Sequence, residues 1–115
     1  KELLLEDARL AVVAFGTAGR VAQSAVKLAR QAGIPVGLLR PISLFPYPKE
    51  RVSALADQVE AILVVEMNGG QMVDDVRLAV EGRVPVSFYG RMGGVGPVPD
   101  EVLEQIQLLA EKLSV

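Results

Sequence analysis

Neither cysteine nor histidine occurs among the 115 residues, and the two absences remove several kinds of chemistry at once. Without thiolates there is no disulfide, no iron–sulfur cluster held by this chain and no thiol nucleophile. Without imidazole the commonest acid/base group is missing, and so is zinc bound through Cys or His. Aromatic residues make up only 4% of the chain, which withholds the stacking platforms that grip single-stranded nucleic acid. The net charge is -2, so no electrostatic pull toward nucleic acid or an anionic membrane is expected. No apolar run approaches the roughly 20 residues that span a bilayer, and no signal-peptide pattern is visible. A cysteine-free composition suits a cytoplasmic protein. Half the residues are apolar and 23% are charged, as in one globular domain with a workable core. The chain begins at Lys1 rather than Met, which leads us to expect a domain excised from a longer subunit.

The most informative stretch runs from Val64 to Arg77. Ala61 to Glu66 is apolar until its last residue, as in a parallel strand covered on both faces. Asn68-Gly69-Gly70 then breaks the pattern, because Gly and Asn tolerate left-handed backbone. From Gln71, the spacing of Met72, Val73, Val76, Ala79 and Val80 predicts a helix to Val80, ended by Gly82. Asp74 and Asp75 fall in its first turn, where the helix dipole favours negative charge. In open parallel sheets, function gathers where strands end and helices begin. Here that junction holds Glu66, Asn68 and Gln71.

The same strand–helix alternation fills the rest of the chain. Strands are predicted at Arg9 to Phe15, Ile34 to Leu39 and Val84 to Phe88, with a short edge strand around Leu3-Leu4-Leu5. Helices are predicted at Arg20 to Ala32, with Val21, Ala22, Ala25, Leu28, Ala29 and Ala32 inward and Gly33 as its stop. A second helix is expected at Lys49 to Gln58, with Val52, Leu55 and Ala56 inward. A last one starts at Pro99, with Leu103, Ile106, Leu109, Ala110 and Leu113 inward. Four such units give an α/β class, a mostly parallel sheet with helices on both faces.

Each motif with chemical potential has a structural reading beside it. Gly16-Thr17-Ala18-Gly19 stands where a dinucleotide loop would, but only two of the motif's glycines are present. Arg40 replaces the acid expected after the next strand, an arrangement that suits a 2′-phosphate if a nucleotide binds at all. The structural reading is a tight turn with close helix packing. Glu66 is a candidate general acid or base with no visible partner, or else an acceptor for backbone N–H groups of a neighbouring turn. Asp74 and Asp75 point about 100° apart on a helix and make a poor chelate for a hard cation. Gly90 to Pro97 and Arg91 can be read as a phosphate cradle, yet lack the Walker Lys-Ser/Thr; close approach of another backbone suits them better. Phe45 and Tyr47, set among prolines, suit either a protein contact or a cap on the domain's own sheet edge.

Together, Arg40-Pro41-Ile42-Ser43-Leu44-Phe45-Pro46-Tyr47-Pro48, Val65 through Arg77, and Tyr89-Gly90-Arg91-Met92-Gly93-Gly94 resemble, in order and spacing, the C-terminal domain of the α subunit of 2-oxoacid:ferredoxin (2-oxoacid:acceptor) oxidoreductases. The resemblance runs from about Asp7 onward. It implies a three-layer α/β/α fold of the transketolase C-terminal type. In that fold a doubly wound five-stranded sheet carries an antiparallel edge strand, which Leu3-Leu4-Leu5 can supply. The strands ending at Phe15 and Glu66 would lie side by side at the topological switch point. The resemblance also implies the reaction of the parent enzyme, in which a 2-oxoacid such as pyruvate or 2-oxoglutarate is oxidatively decarboxylated to acyl-CoA and ferredoxin is reduced. Thiamine diphosphate, magnesium, iron–sulfur clusters and coenzyme A would serve that reaction from other domains or subunits, and no catalytic residue is carried over to this chain.

The partners implied are the other domains of the same α subunit, the β and γ subunits, and a homodimeric contact. The interface candidates are Glu66, Asn68, Gly69, Gly70, Gln71, Gly90, Arg91, Gly93, Gly94, Phe45 and Tyr47. Two alternatives from the residues alone are a free-standing nucleotide- or phosphate-binding domain and a small enzyme built on Glu66.

Overall fold

The computed structural model describes residues 2–16, 18–41, 49–66, 72–90 and 99–114. Its elements in chain order are β1 (Glu2–Leu3), β2 (Leu10–Ala14), α1 (Ala18–Gln31), β3 (Val36–Leu39), α2 (Lys49–Gln58), β4 (Ala61–Glu66), α3 (Val73–Val80), β5 (Val86–Gly90) and α4 (Pro99–Leu113). The five strands form one sheet in the spatial order β1-β3-β2-β4-β5. The β3, β2, β4 and β5 strands run parallel, and β1 pairs antiparallel with β3. This is the doubly wound sheet with an antiparallel edge that the sequence led us to expect.

The two central strands are buried at every position, because alternate residues serve opposite faces. Ala11, Val13, Phe15, Ile62 and Val64 pack with residues of α2 and α3. Leu10, Val12, Ala14, Ala61, Leu63 and Val65 pack with residues of α1 and α4. A continuous apolar run is what a strand covered on both sides requires.

Helix ends and strand starts share residues. Gly33 takes φ 87° after α1; its N–H donates to the Arg30 carbonyl at 3.0 Å, and the Ile34 N–H donates to the Ala29 carbonyl at 3.0 Å. This pair of bonds is the Schellman closure. Ile34 is thereby used by the cap and Pro35 has no N–H to donate, so β3 starts at Val36 rather than at Ile34. Around α3 the expectation is corrected. The helix starts at Val73, and the first left-handed residue after it is Glu81 (φ 55°), whose N–H donates to the Arg77 carbonyl; Gly82 follows at φ 74°. The last strand also moves. The ladder opposite β4 selects Val86 to Gly90, and the Pro85 carbonyl already accepts the Ile62 N–H at 3.0 Å.

The buried stripe of α1 is narrower than expected. Ala18, Ala22, Ala25, Val26 and Ala29 are buried, whereas Leu28 is 41% exposed and Ala32 is exposed. On α4, Val102 is buried beside Ile106 and Ala110, while Leu103, Leu109 and Leu113 are partly buried. The two helices pack against each other as well as against the sheet, which turns their apolar arcs toward the seam between them. At the amino end, Leu4 turns left-handed at φ 58° and ends β1, and Leu5 enters the core. Arg30 holds this segment: it donates to both Asp7 carboxyl oxygens, at 2.7 and 3.2 Å, to the Leu4 carbonyl at 2.8 Å and to the Val36 carbonyl at 2.8 Å.

Candidate functional site

The carboxyl ends of β2 and β4 lie side by side, with Ala14 opposite Val65 and the Phe15 N–H donating to the Val65 carbonyl at 3.2 Å. One residue on, Glu66 faces Gly90 of β5. The order of strand addition reverses around this point, since α1 leads outward to β3 on one side and α3 leads to β5 on the other. Crevices at such switch points are where open parallel sheets present their working groups.

Glu66 belongs to the sheet face that also carries Phe15 and Phe88, by the period-two alternation of β4. Only 2% of it is exposed. Its Oε2 accepts the Met72 N–H at 2.9 Å and the Val73 N–H at 3.1 Å. These are two of the donors that the first turn of α3 leaves without helical partners, and Met72 supplies no side-chain cap of its own. The carboxyl therefore caps the helix that follows it, at the positive end of the dipole. This is the arrangement set against a catalytic role in the sequence reading. Its Oε1 is buried and accepts no hydrogen bond among the described residues.

Gly90 serves the same junction. A Cβ at this position would overlap the Glu66 carbonyl oxygen and stand 2.7 Å from the Phe88 ring. The close approach that Gly90 permits is thus already in use within this sheet. Beside it, the Tyr89 hydroxyl donates to the Glu101 carboxyl, tying β5 to the first turn of α4.

At the other side of the crevice, Gly16 takes φ 63° with open space where a Cβ would stand. Gly19, in the first turn of α1, lies against the Arg40 side chain, which a Cβ on Gly19 would overlap. Arg40 thus fills room above the α1 amino end that a pyrophosphate would need, and the Gly19 position reads as close packing. No signal in the sequence pairs Arg40 with Gly19, because the contact joins the start of a helix to the end of the next strand.

Of the interface candidates, Glu66 and Gly90 are brought together by the β4–β5 ladder. Phe45, Tyr47, Asn68, Gly69, Gly70, Gln71, Arg91, Gly93 and Gly94, with Thr17, lie outside the described residues. Among the described residues no group of three or more His, Cys, Asp or Glu side chains is gathered to hold a metal ion, and no helix is long and apolar enough to cross a membrane.

The model of the family described as pyruvate:ferredoxin oxidoreductase core domain II matches residues 8–102. The chain belongs to this family. As a core domain II it is similar to the ketoisovalerate oxidoreductase subunit VorB of Methanothermobacter thermautotrophicus, at 47% identity over 110 residues, covering 96% of this chain and 31% of the relative. It is also similar to the 2-oxoglutarate synthase subunit KorA of the same organism, at 37% identity over 106 residues, covering 92% of this chain and 28% of the relative. The core domain thus spans less than a third of the length of these relatives.

Two of the solved structures that share its fold are informative. A split-gene transketolase, described as an inactive β4 tetramer, superposes with a TM-score of 0.78 at 21% identity over 94% of this chain and 40% of that chain. The 2-oxoglutarate:ferredoxin oxidoreductase of Magnetococcus marinus, with 2-oxoglutarate, coenzyme A and succinyl-CoA bound, gives 0.72 at 19% identity over 89% of this chain and 18% of that chain. At these identities the likeness establishes the transketolase C-terminal type of fold.

Proposed function

We propose that this core domain II is a non-catalytic interface module of a thiamine-diphosphate-dependent 2-oxoacid:ferredoxin oxidoreductase located in the cytoplasm. The parent enzyme oxidatively decarboxylates a 2-oxoacid to acyl-CoA and passes the electrons to ferredoxin. The observation that carries the non-catalytic part is the state of Glu66. Among the described residues, the carboxyl at the end of β4 is engaged with the backbone of α3 rather than set beside an acid, a base or a metal ligand. The reaction class is supported by the family match and by the names of its relatives.

The described residues do not fit the cofactors of such an enzyme. A cluster needs thiolates that the chain lacks, and no described acidic group is arranged as a magnesium site. Thiamine diphosphate, magnesium, the clusters and coenzyme A therefore belong to neighbouring domains or subunits in this proposal. The module packs on the other domains of its own α subunit and on the β and γ subunits, with a homodimeric contact. Asn68, Gln71 and Arg91 supply directional bonds, Phe45 and Tyr47 apolar anchors, and Gly69, Gly70, Gly93 and Gly94 close approach.

Assembly of the parent oxidoreductase tests this. Asn68→Ala and Arg91→Ala are expected to leave the domain folded and to weaken subunit association. Unchanged association with both variants removes those residues from the interface. Calorimetry of the chain with NADP, ATP and thiamine diphosphate is expected to show no binding. Micromolar affinity for either nucleotide would replace the module by a nucleotide-binding domain.

A further inference from the structure

We propose that the outer edge of β5 receives a β-strand from a part of the parent subunit outside residues 1–115, one that carries an apolar and a basic side chain three positions apart. The inference rests on the reading above that this module packs on the other domains of its own subunit. It names the surface that does so and the chemistry that meets it.

The two edges of the sheet are built differently. β1 is two residues long, ends where Leu4 turns left-handed and has Arg51 paired with Glu2. Short, charged edges of this kind resist pairing. β5 stands at the other end of the strand order and runs Val86-Ser87-Phe88-Tyr89-Gly90 without a charge. Backbone groups of successive strand residues point to opposite edges. The Pro85 carbonyl accepts the Ile62 N–H of β4, so Ser87 and Tyr89 also face β4. Val86 and Phe88 therefore turn their N–H and carbonyl groups outward, and no backbone bond joins those groups to a described residue. Pro85 does not blunt this edge, because its missing N–H lies on the β4 side.

A recess lies beside that edge on each face of the sheet. On the α3 face, Arg77, Val80, Gly82, Val84 and Val86 line about 270 Å³. On the α4 face, Tyr89, Gly90, Glu101, Glu104 and Gln105 line about 280 Å³. Val86 and Tyr89, three positions apart, pack on opposite faces. A strand added here sends side chains three positions apart into the two recesses, and edge addition gains its selectivity in this way. The first recess is walled mainly by valines and takes an apolar side chain. The second presents Glu104, which is exposed and in no ion pair among the described residues. Glu101 stands one turn before it, so this recess takes Lys or Arg.

The size of the edge points to the same polypeptide as the source. One five-residue strand with two recesses falls short of the roughly 1,200 Å² that a stable association of separate chains buries. A tethered segment meets the edge at high effective concentration and needs no such area. The match covers 31% and 28% of the two relatives' length, so most of each relative's subunit lies outside it.

The test uses the full-length subunit in its assembled oxidoreductase. A photoreactive p-benzoylphenylalanine in place of Gln105, mapped by mass spectrometry, is expected to crosslink to a segment of the same polypeptide outside this domain. That segment should hold an apolar and a basic residue three positions apart. Crosslinks to another subunit, or none beyond the domain, overturn the proposal. Amide exchange of Val86 and Phe88 is the second readout. Glu104→Lys sets like charges together and is expected to speed it about tenfold, with Ser87, whose N–H faces β4, unchanged. Glu111→Lys, the same charge change farther along α4, is expected to leave these amides within about twofold of wild type. Equal effects of the two charge changes, or acceleration across the whole sheet, overturn the proposal as well. Subunit association with Asn68→Ala and Arg91→Ala separates the two readings. If it is unchanged while the crosslink lands as expected, those residues leave the interface and the strand stands. If it weakens while the crosslink falls on another subunit, the strand fails and the module reading stands.

Discussion

Gly90 lies against the carbonyl oxygen of Glu66 so closely that no side chain fits between them, and the Phe88 ring closes the remaining side at 2.7 Å from where a Cβ would stand. Because the obstacle is partly backbone, it cannot swing away. Gly90→Ala should cost roughly 1–3 kcal/mol through overpacking. Thermal unfolding should show this as a lower midpoint, by roughly 4 °C for each kcal/mol. An unchanged midpoint would show that the strand ends are free to part.

Glu81 holds a left-handed conformation (φ 55°) at the end of α3, with its side chain exposed. A side chain in this region costs about 1 kcal/mol that glycine avoids. Glu81→Gly should therefore raise stability by about 1 kcal/mol. Gly82→Ala, at φ 74°, should lower it by a similar amount. Chemical denaturation of the two variants checks the opposite signs.

Ile106 of α4 is 1% exposed and Leu78 of α3 is 72% exposed. Ile106→Ala removes methylenes from the seam among α1, α4 and the sheet, at roughly 2–5 kcal/mol. Leu78→Ala should change stability by less than about 0.5 kcal/mol. Equal effects would contradict the placement of these helices.

Acid should loosen the amino-terminal segment first. The hydrogen bond from Arg51 lowers the Glu2 carboxyl pKa below its ordinary 4.5, and the hydrogen bond from Arg30 lowers that of Asp7 below its ordinary 3.8. Both folded values are depressed, so the contribution is fully present above the ordinary values and is lost as pH falls through the folded ones. The protection of amides in β1 and the turn after it, relative to their intrinsic exchange rate at each pH, should fall below about pH 4, before that of the central strands. Arg51→Ala should remove the Glu2 part of that dependence, and Arg30→Ala the Asp7 part. A pH response that is identical in wild type and both variants would show that these pairs hold nothing.

Much of the architecture was legible because the decisive patterns are local. Apolar continuity over Ala61–Glu66 and helical spacing over Lys49–Gln58 marked those elements at the bounds the structure shows. Gly33 ended its helix in the left-handed conformation expected of it. The misplaced starts of β3 and β5 have one cause. The starts of β3 and β5 were drawn from apolar content, whereas in the fold they are set by which N–H and carbonyl groups remain free opposite β2 and β4.

By itself, then, the amino-acid sequence determined the alternation of strands and helices, the exclusion of thiol and imidazole chemistry, and the resemblance that led to the family. Those depend on residue type and short-range spacing, which folding does not alter. The tertiary structure decided what each polar or small residue at the strand ends does. Glu66 became a cap on α3 because β4 and α3 meet at the crevice. Gly19 became a seat for Arg40, and Gly90 a seat for the Glu66 carbonyl. Leu28 stayed outside because α4 packs along the other side of α1. Each of these outcomes is a distance between groups far apart in the chain or across a turn, and such distances exist only once the sheet has formed.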